Sequence, residues 1–202
     1  TNNAEGTVTD IDTSGDALIS NAGEIGSGGV TTAGTLDLNN SGSVTGDIAS
    51  GDQADTITNT GSITGSISTG AAADRITNTG GSIVAAAIST GGTADVLTNE
   101  EGGSIISSVD LGSGNDSLVN DSASITGNIT TGTDADSVSN NNGGIIEGNI
   151  DLGNNDDTVT NGTGSTISGD IDFSTAGESG DTLTNDGTVN GTVSGDDITV
   201  SN

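Results

Sequence analysis

The sequence predicts an all-β protein, a parallel β-helix (three-sided β-solenoid) of about ten rungs with about 20 residues per rung, and three observations lead there. An asparagine returns at Asn2, Asn21, Asn40, Asn59, Asn78, Asn99, Asn120, Asn140, Asn161, Asn185 and Asn202, and the first four gaps are all 19 residues. Aliphatic residues recur at three fixed phases of that interval, and glycines separate the phases. A period near 20 is too short for a helical-pair repeat, and a chain of Thr, Ser, Asn, Gly, Ile and Val favours strands and turns.

One rung reads Asp, x, apolar, x, Asn, then apolar, x, Gly, x, apolar, then a glycine turn. Asp55, Ile57, Asn59, Gly61, Ile63, Gly65, Ile67 and Gly70 give its cleanest form. Glycine supplies the positive φ that tight corners need. The first apolar column takes Leu18 or Ile19, Leu38, Ile57, Ile76, Leu97, Leu118, Val138, Val159 and Leu183. A second takes Val8, Ile25, Val44, Ile63, Ile83, Ile105, Ile125, Ile145 or Ile146, Ile167 and Val189. The third takes Ile11, Val30, Ile48, Ile67, Ile88, Val109, Ile129, Ile150, Ile171 and Val193. Asparagines stacked on successive rungs would bond to one another along the rod and satisfy buried amides. Two stretches depart from the pattern. Ala85, Ala86 and Ala87 replace the usual glycine corner, and the stretch from Phe173 to Gly180 inserts extra residues, expected to bulge as a loop. Phe173 falls where Leu111 and Leu152 fall in their rungs and is assigned to packing.

With one uninterrupted period and no linker, residues 1–202 are expected to form a single domain. Composition alone, with 28% hydrophobic residues, 35 Gly and a net charge of −28, approaches the disordered class. The periodicity argues against disorder, because an unfolded chain has no reason to repeat Ile or Val at one phase. Arg75 stands alone against 29 acidic residues, which argues against nucleic acid and anionic lipid and favours cationic partners. No Cys is present to form a disulfide or thiolate site. No apolar run approaches the ~18 residues of a membrane-spanning segment. The absence of Met points to a processed product, consistent with an exported chain at the cell surface or outside the cell.

The phrase Ile125, Gly127, Ile129, Asp136, Asn140 resembles the repeats of bacterial autotransporter passenger domains, and that resemblance covers essentially the whole chain. It implies a secreted β-solenoid. A narrower phrase, Gly112-Ser113-Gly114-Asn115-Asp116-Ser117-Leu118, looks like the glycine-rich nonapeptide of the repeats-in-toxin family, whose turns bind Ca²⁺. That likeness implies Asp116 as a carboxylate ligand. At the corresponding turns it implies Asp55, Asp74, Asp95, Asp136, Asp157 and Asp181, with neighbouring carbonyls completing an all-oxygen shell. Other turns lack or displace the middle glycine, and the motif comes once per rung instead of every nine residues. Together with Asp16, the column would set like charges one rung apart, each pair repelling by about 0.9 kcal/mol in water. Bound cations would relieve this. The alternative is that these aspartates turn outward, accept backbone N–H bonds as turn caps and are screened by salt. Asp12, Asp110, Asp151 and Asp172 read as a solvated face.

No enzyme is expected, since the chain has no His, Lys, Cys, Tyr or Trp, and its carboxylates repeat evenly instead of clustering at one rung. Thr1-Asn2 and Ile198 to Asn202 both lie within the repeat, which suggests head-to-tail stacking into a surface fibre or coat. The competing expectation is an adhesin or carbohydrate-binding passenger module presenting ranks of Thr such as Thr56 with Thr58 and Thr158 with Thr160. Arg75, Val96, Ser117 and Ser137 interrupt that rank.

Overall fold

A computed structural model describes residues 1–173 and 180–202. The inserted stretch after Phe173 lies largely outside the described residues. The described residues form an all-β parallel solenoid of about nine turns with about 20 residues per turn, and no helix occurs among them. The eleven asparagines bound ten intervals; the asparagine-bearing column has ten strands and therefore nine steps, because Asn2 meets Asn21 only through an isolated bridge.

Each turn lays down three short strands, as in Thr56–Asn59, Ser62–Ile63 and Ile67–Ser68. The strands of the first column stack into a ten-stranded sheet from Ala17–Asn21 to Thr199–Ser201. The second and third columns belong to one 18-stranded sheet. They join because the early strands Thr7–Thr13 and Glu24–Thr32 run through the corner, with a register irregularity between Val8 and Asp10. In later turns a glycine breaks the strand there: a Cβ on Gly65 would collide with the carbonyl oxygen of Gly46 one rung away. The Ala85 to Ala87 stretch turns this corner without glycine by placing four residues between Ile83 and Ile88, where Thr64 to Ser66 make three.

Register is kept from rung to rung. Ile57, Ile76, Leu97, Leu118, Val138, Val159 and Leu183 align Cα to Cα. The aliphatic columns are buried along the rod, and at its two ends Ile11, Val189 and Val193 are only half-buried. The two ambiguous positions resolve by the pleat: Ile19 and Ile146 face inward, while Leu18 is 77% and Ile145 43% exposed. Phe173 is buried like Leu111 and Leu152, as its phase predicts.

The asparagine stack forms as expected. Each Nδ2 donates to the Oδ1 of the next rung at 2.7 to 2.9 Å, from Asn2 through to Asn185. The second N–H of each amide goes to backbone carbonyls, such as Gly103 and Ser124 for Asn99. The buried amides from Asn21 to Asn161 are thereby satisfied, which is what allows a polar residue to line the core. Asn202 is exposed and, with its amide nitrogen turned toward it, reaches the Asn185 backbone carbonyl at 3.1 Å instead.

Candidate functional site

The aspartate turn is the part of the rung that carries ionisable chemistry, and its backbone explains why the sequence varies there. Gly70, Gly91, Gly112, Gly132 and Gly153 open the turn with φ of 97, 98, 99, 113 and 87°. A Cβ on any of the last four would strike the carbonyl oxygen of the preceding member of the series, so the first glycine is fixed by close approach as well as by φ. Two residues on, Thr93, Gly114, Asp134 and Asn155 all hold positive φ, at 74, 114, 78 and 78°. The middle glycine of Gly112 to Asp116 is therefore replaced elsewhere by residues in the same left-handed region, and the turn survives its loss.

The aspartates themselves do not turn outward. Asp55, Asp74, Asp95, Asp116, Asp136, Asp157 and Asp181 are 0 to 3% exposed. Each offers Oδ1 to a backbone N–H of the preceding rung. Leu36 donates to Asp55 at 2.6 Å; Asp55 to Asp74, Asp74 to Asp95, Asp95 to Asp116, Asp116 to Asp136 and Asp136 to Asp157, each at 2.7 Å; and Asp157 to Asp181 at 2.9 Å. The capping half of the expectation stands, since these carboxylates accept backbone hydrogen bonds. Solvent exposure is what the structure corrects. Asp16 is not a member of the line: it is exposed and accepts from Thr35, while Ala17 and Leu36 occupy the inward position in their rungs.

One carboxylate oxygen per residue is thus satisfied. The other, Oδ2, is buried with no hydrogen-bond partner in Asp55, Asp74, Asp95, Asp116 and Asp136. Burial raises the pKa of all five above the ordinary aspartate value. Asp74 reaches about 6 through burial, moderated by Thr69 and by the N–H of Asp55. Asp116 reaches about 7, again chiefly through burial, with Asp136, Asp95 and Asp134 adding negative charge. Ser50, Thr69, Thr90 and Thr131 place hydroxyls beside Asp55, Asp74, Asp95 and Asp136. Leu111 stands at that position in the rung of Asp116, which explains why Asp116 rises most.

This donor set does not fit calcium, which takes about six to eight oxygens around one point. The carboxylates run in a line, each with an N–H pointed at one of its oxygens. Among the described residues no three acidic, His or Cys side chains gather as a metal-holding group.

On the outside, Thr56, Arg75, Val96, Ser117, Ser137, Thr158 and Thr182 align across the first column, so the Thr rank is interrupted where its sequence says. Asp110, Thr130, Asp151 and Asp172 align on the outer face of the third, an acidic rank broken by Thr130. Among the described residues no helix is long and apolar enough to cross a membrane. No protein family, no curated protein and no solved structure matches this chain.

Proposed function

We propose that the chain is an extracellular structural protein, a subunit of a surface fibre or coat that grows by head-to-tail stacking of solenoid rungs. The observation that supports it is the sameness of the rung-to-rung contact. From Asp55 to Asp181 each turn meets the next by parallel pairing, with the asparagine amide and the aspartate carboxylate in register. A contact that repeats inside one chain is available, by the same groups, between copies. Because it joins unlike faces, it generates an open filament. Acidic side chains on the exterior, Asp110, Asp151 and Asp172 among them, discourage lateral clumping of such rods. A single basic residue, Arg75, leaves trypsin-like proteases one place to cut, which suits a long life outside the cell. The reading includes no catalytic activity.

Negative-stain electron microscopy of the purified chain over a concentration series tests this. Unbranched fibres one rod wide are expected, and discrete rods at every concentration would refute it. A second reading, a carbohydrate-binding passenger module, rests on the outward Thr and Ser rank of the first column. Binding to a panel of surface glycans by chains that stay single rods would favour it.

A further inference from the structure

The aspartate line has the geometry of a proton site. A carboxylate buried with one oxygen unpaired is costly to keep charged. At two of these turns the neighbouring hydroxyl cannot relieve it by donating. A hydroxyl has one hydrogen to give, and Thr90 and Thr131 have already given theirs to the carbonyls of Leu111 and Leu152, at 2.9 and 2.8 Å. To Asp95 and Asp136 beside them they offer only lone pairs. Beside Asp74 the Thr69 hydroxyl, which gives its hydrogen to no carbonyl, lessens the rise without cancelling it, and beside Asp116 stands Leu111, which has no hydrogen to give. A proton on Oδ2 removes the charge that burial penalises, and the neutral carboxyl still accepts the N–H of the preceding rung with its other oxygen.

We propose that this column binds protons where its sequence motif suggests a metal: the rod takes up protons along the aspartate line as it folds, and acidification tightens it. The charged groups bearing on these carboxyls are the column members above and below and, for Asp116 and Asp136, the exposed Asp134; all are negative. Arg75, next in sequence to Asp74, is exposed. Each such acid holds its proton more tightly folded than unfolded. Its contribution is complete below the unfolded value of about 3.9 and is lost as pH rises through the folded one, about 6 for Asp74 and about 7 for Asp116. Within that window the folding equilibrium gains up to about tenfold per pH unit for each carboxyl. The proposal is independent of head-to-tail stacking.

Relief of surface repulsion also firms an acidic rod at low pH, so the test must be site-specific. Carbon-13 NMR of the aspartate carboxyl carbons of the whole chain, titrated from about pH 8.5 to 4, reads the protons directly. Resonances of Asp74 and Asp116 are expected to move near pH 6 to 7. Thermal melts of Asp116→Asn, whose amide imitates the neutral carboxyl, should match or exceed the parent at about pH 8 and show a smaller gain on acidification. The exposed-site variant Asp151→Asn should keep the full gain. Asp74 and Asp116 resonances that stay unmoved from about pH 8.5 down to about pH 5 would overturn the proposal. So would Asp116→Asn melting below the parent at pH 8, or a rise in the parent's midpoint with millimolar Ca²⁺ that this variant loses. The titration needs no variant and decides the matter if Asp116→Asn does not fold.

Discussion

Replacing Asn120 by Ala removes one link from the middle of the asparagine stack. The Asn120 amide donates to Asn140 Oδ1 at 2.8 Å and to the carbonyls of Ala123 and Ile145 at 3.0 and 3.2 Å, and it accepts from Asn99 at 2.9 Å. Asn99 keeps its two carbonyl acceptors, so its loss is small. Asn140 Oδ1 loses its stacking donor inside the rod, at a cost of about 1–3 kcal/mol for an unsatisfied buried group. Forfeited hydrogen bonds and the space left by the amide add about another 1 kcal/mol. A loss of roughly 2–4 kcal/mol is expected, against about 0.5 kcal/mol or less for the exposed-site variant Asp151→Asn. Asn120→Asp should lose more, because it sets an oxygen against Asn140 Oδ1 where an N–H belongs. Urea unfolding measures the midpoint and slope. Amide hydrogen exchange shows whether the loss concentrates in the turns of Asn99, Asn120 and Asn140, as nearest-neighbour coupling in a solenoid requires. If Asn120→Ala and Asp151→Asn unfold at the same urea concentration, the stack does not hold the rungs together.

Three further outcomes follow from the turns and the core. Gly132→Ala meets the Gly112 carbonyl at a φ of 113° and should lower the urea midpoint by more than the roughly 1–2 kcal/mol of positive φ alone. Asp134→Gly, one residue past the bridge at Thr133, should raise the midpoint, since glycine accepts the φ of 78° without strain and a negative neighbour of Asp116 disappears. Phe173→Leu should cost less than about 1.5 kcal/mol, because Leu111 and Leu152 already occupy that phase, whereas Phe173→Ala should cost about 3–5 kcal/mol.

The asparagine interval and the aliphatic phases are legible in the sequence because each is repeated at almost every turn, and a repeat that stacks on itself has only one way to keep Ile57, Ile76 and Leu97 together. The ends of the count are less legible, since Asn2 keeps the interval yet joins Asn21 only through an isolated bridge. The inward aspartates were also within reach. In Asp55, Thr56, Ile57, Thr58, Asn59 side chains alternate across the strand, and the pleat that buries Ile57 and Asn59 places Asp55 on their side. The usual association of aspartate with exposed turns obscures this, although the alternation is the stronger constraint. What the sequence conceals is which hydroxyls are already committed: that Thr90 and Thr131 spend their hydrogens on the next rung depends on side-chain rotation.

Both side-chain lines run with the same sense. Each asparagine gives its hydrogen toward the carboxy-terminal neighbour, and each aspartate N–H does likewise toward the next carboxylate. A plane drawn between any two of these turns has hydrogens on one side and oxygens on the other along both lines. The rod is therefore a vector: two segments brought together face to face in opposite senses oppose oxygen to oxygen or hydrogen to hydrogen, and only segments pointing the same way can share the lines. Any assembly made by end-to-end stacking would inherit that direction, with two chemically different tips and no means of reversing partway.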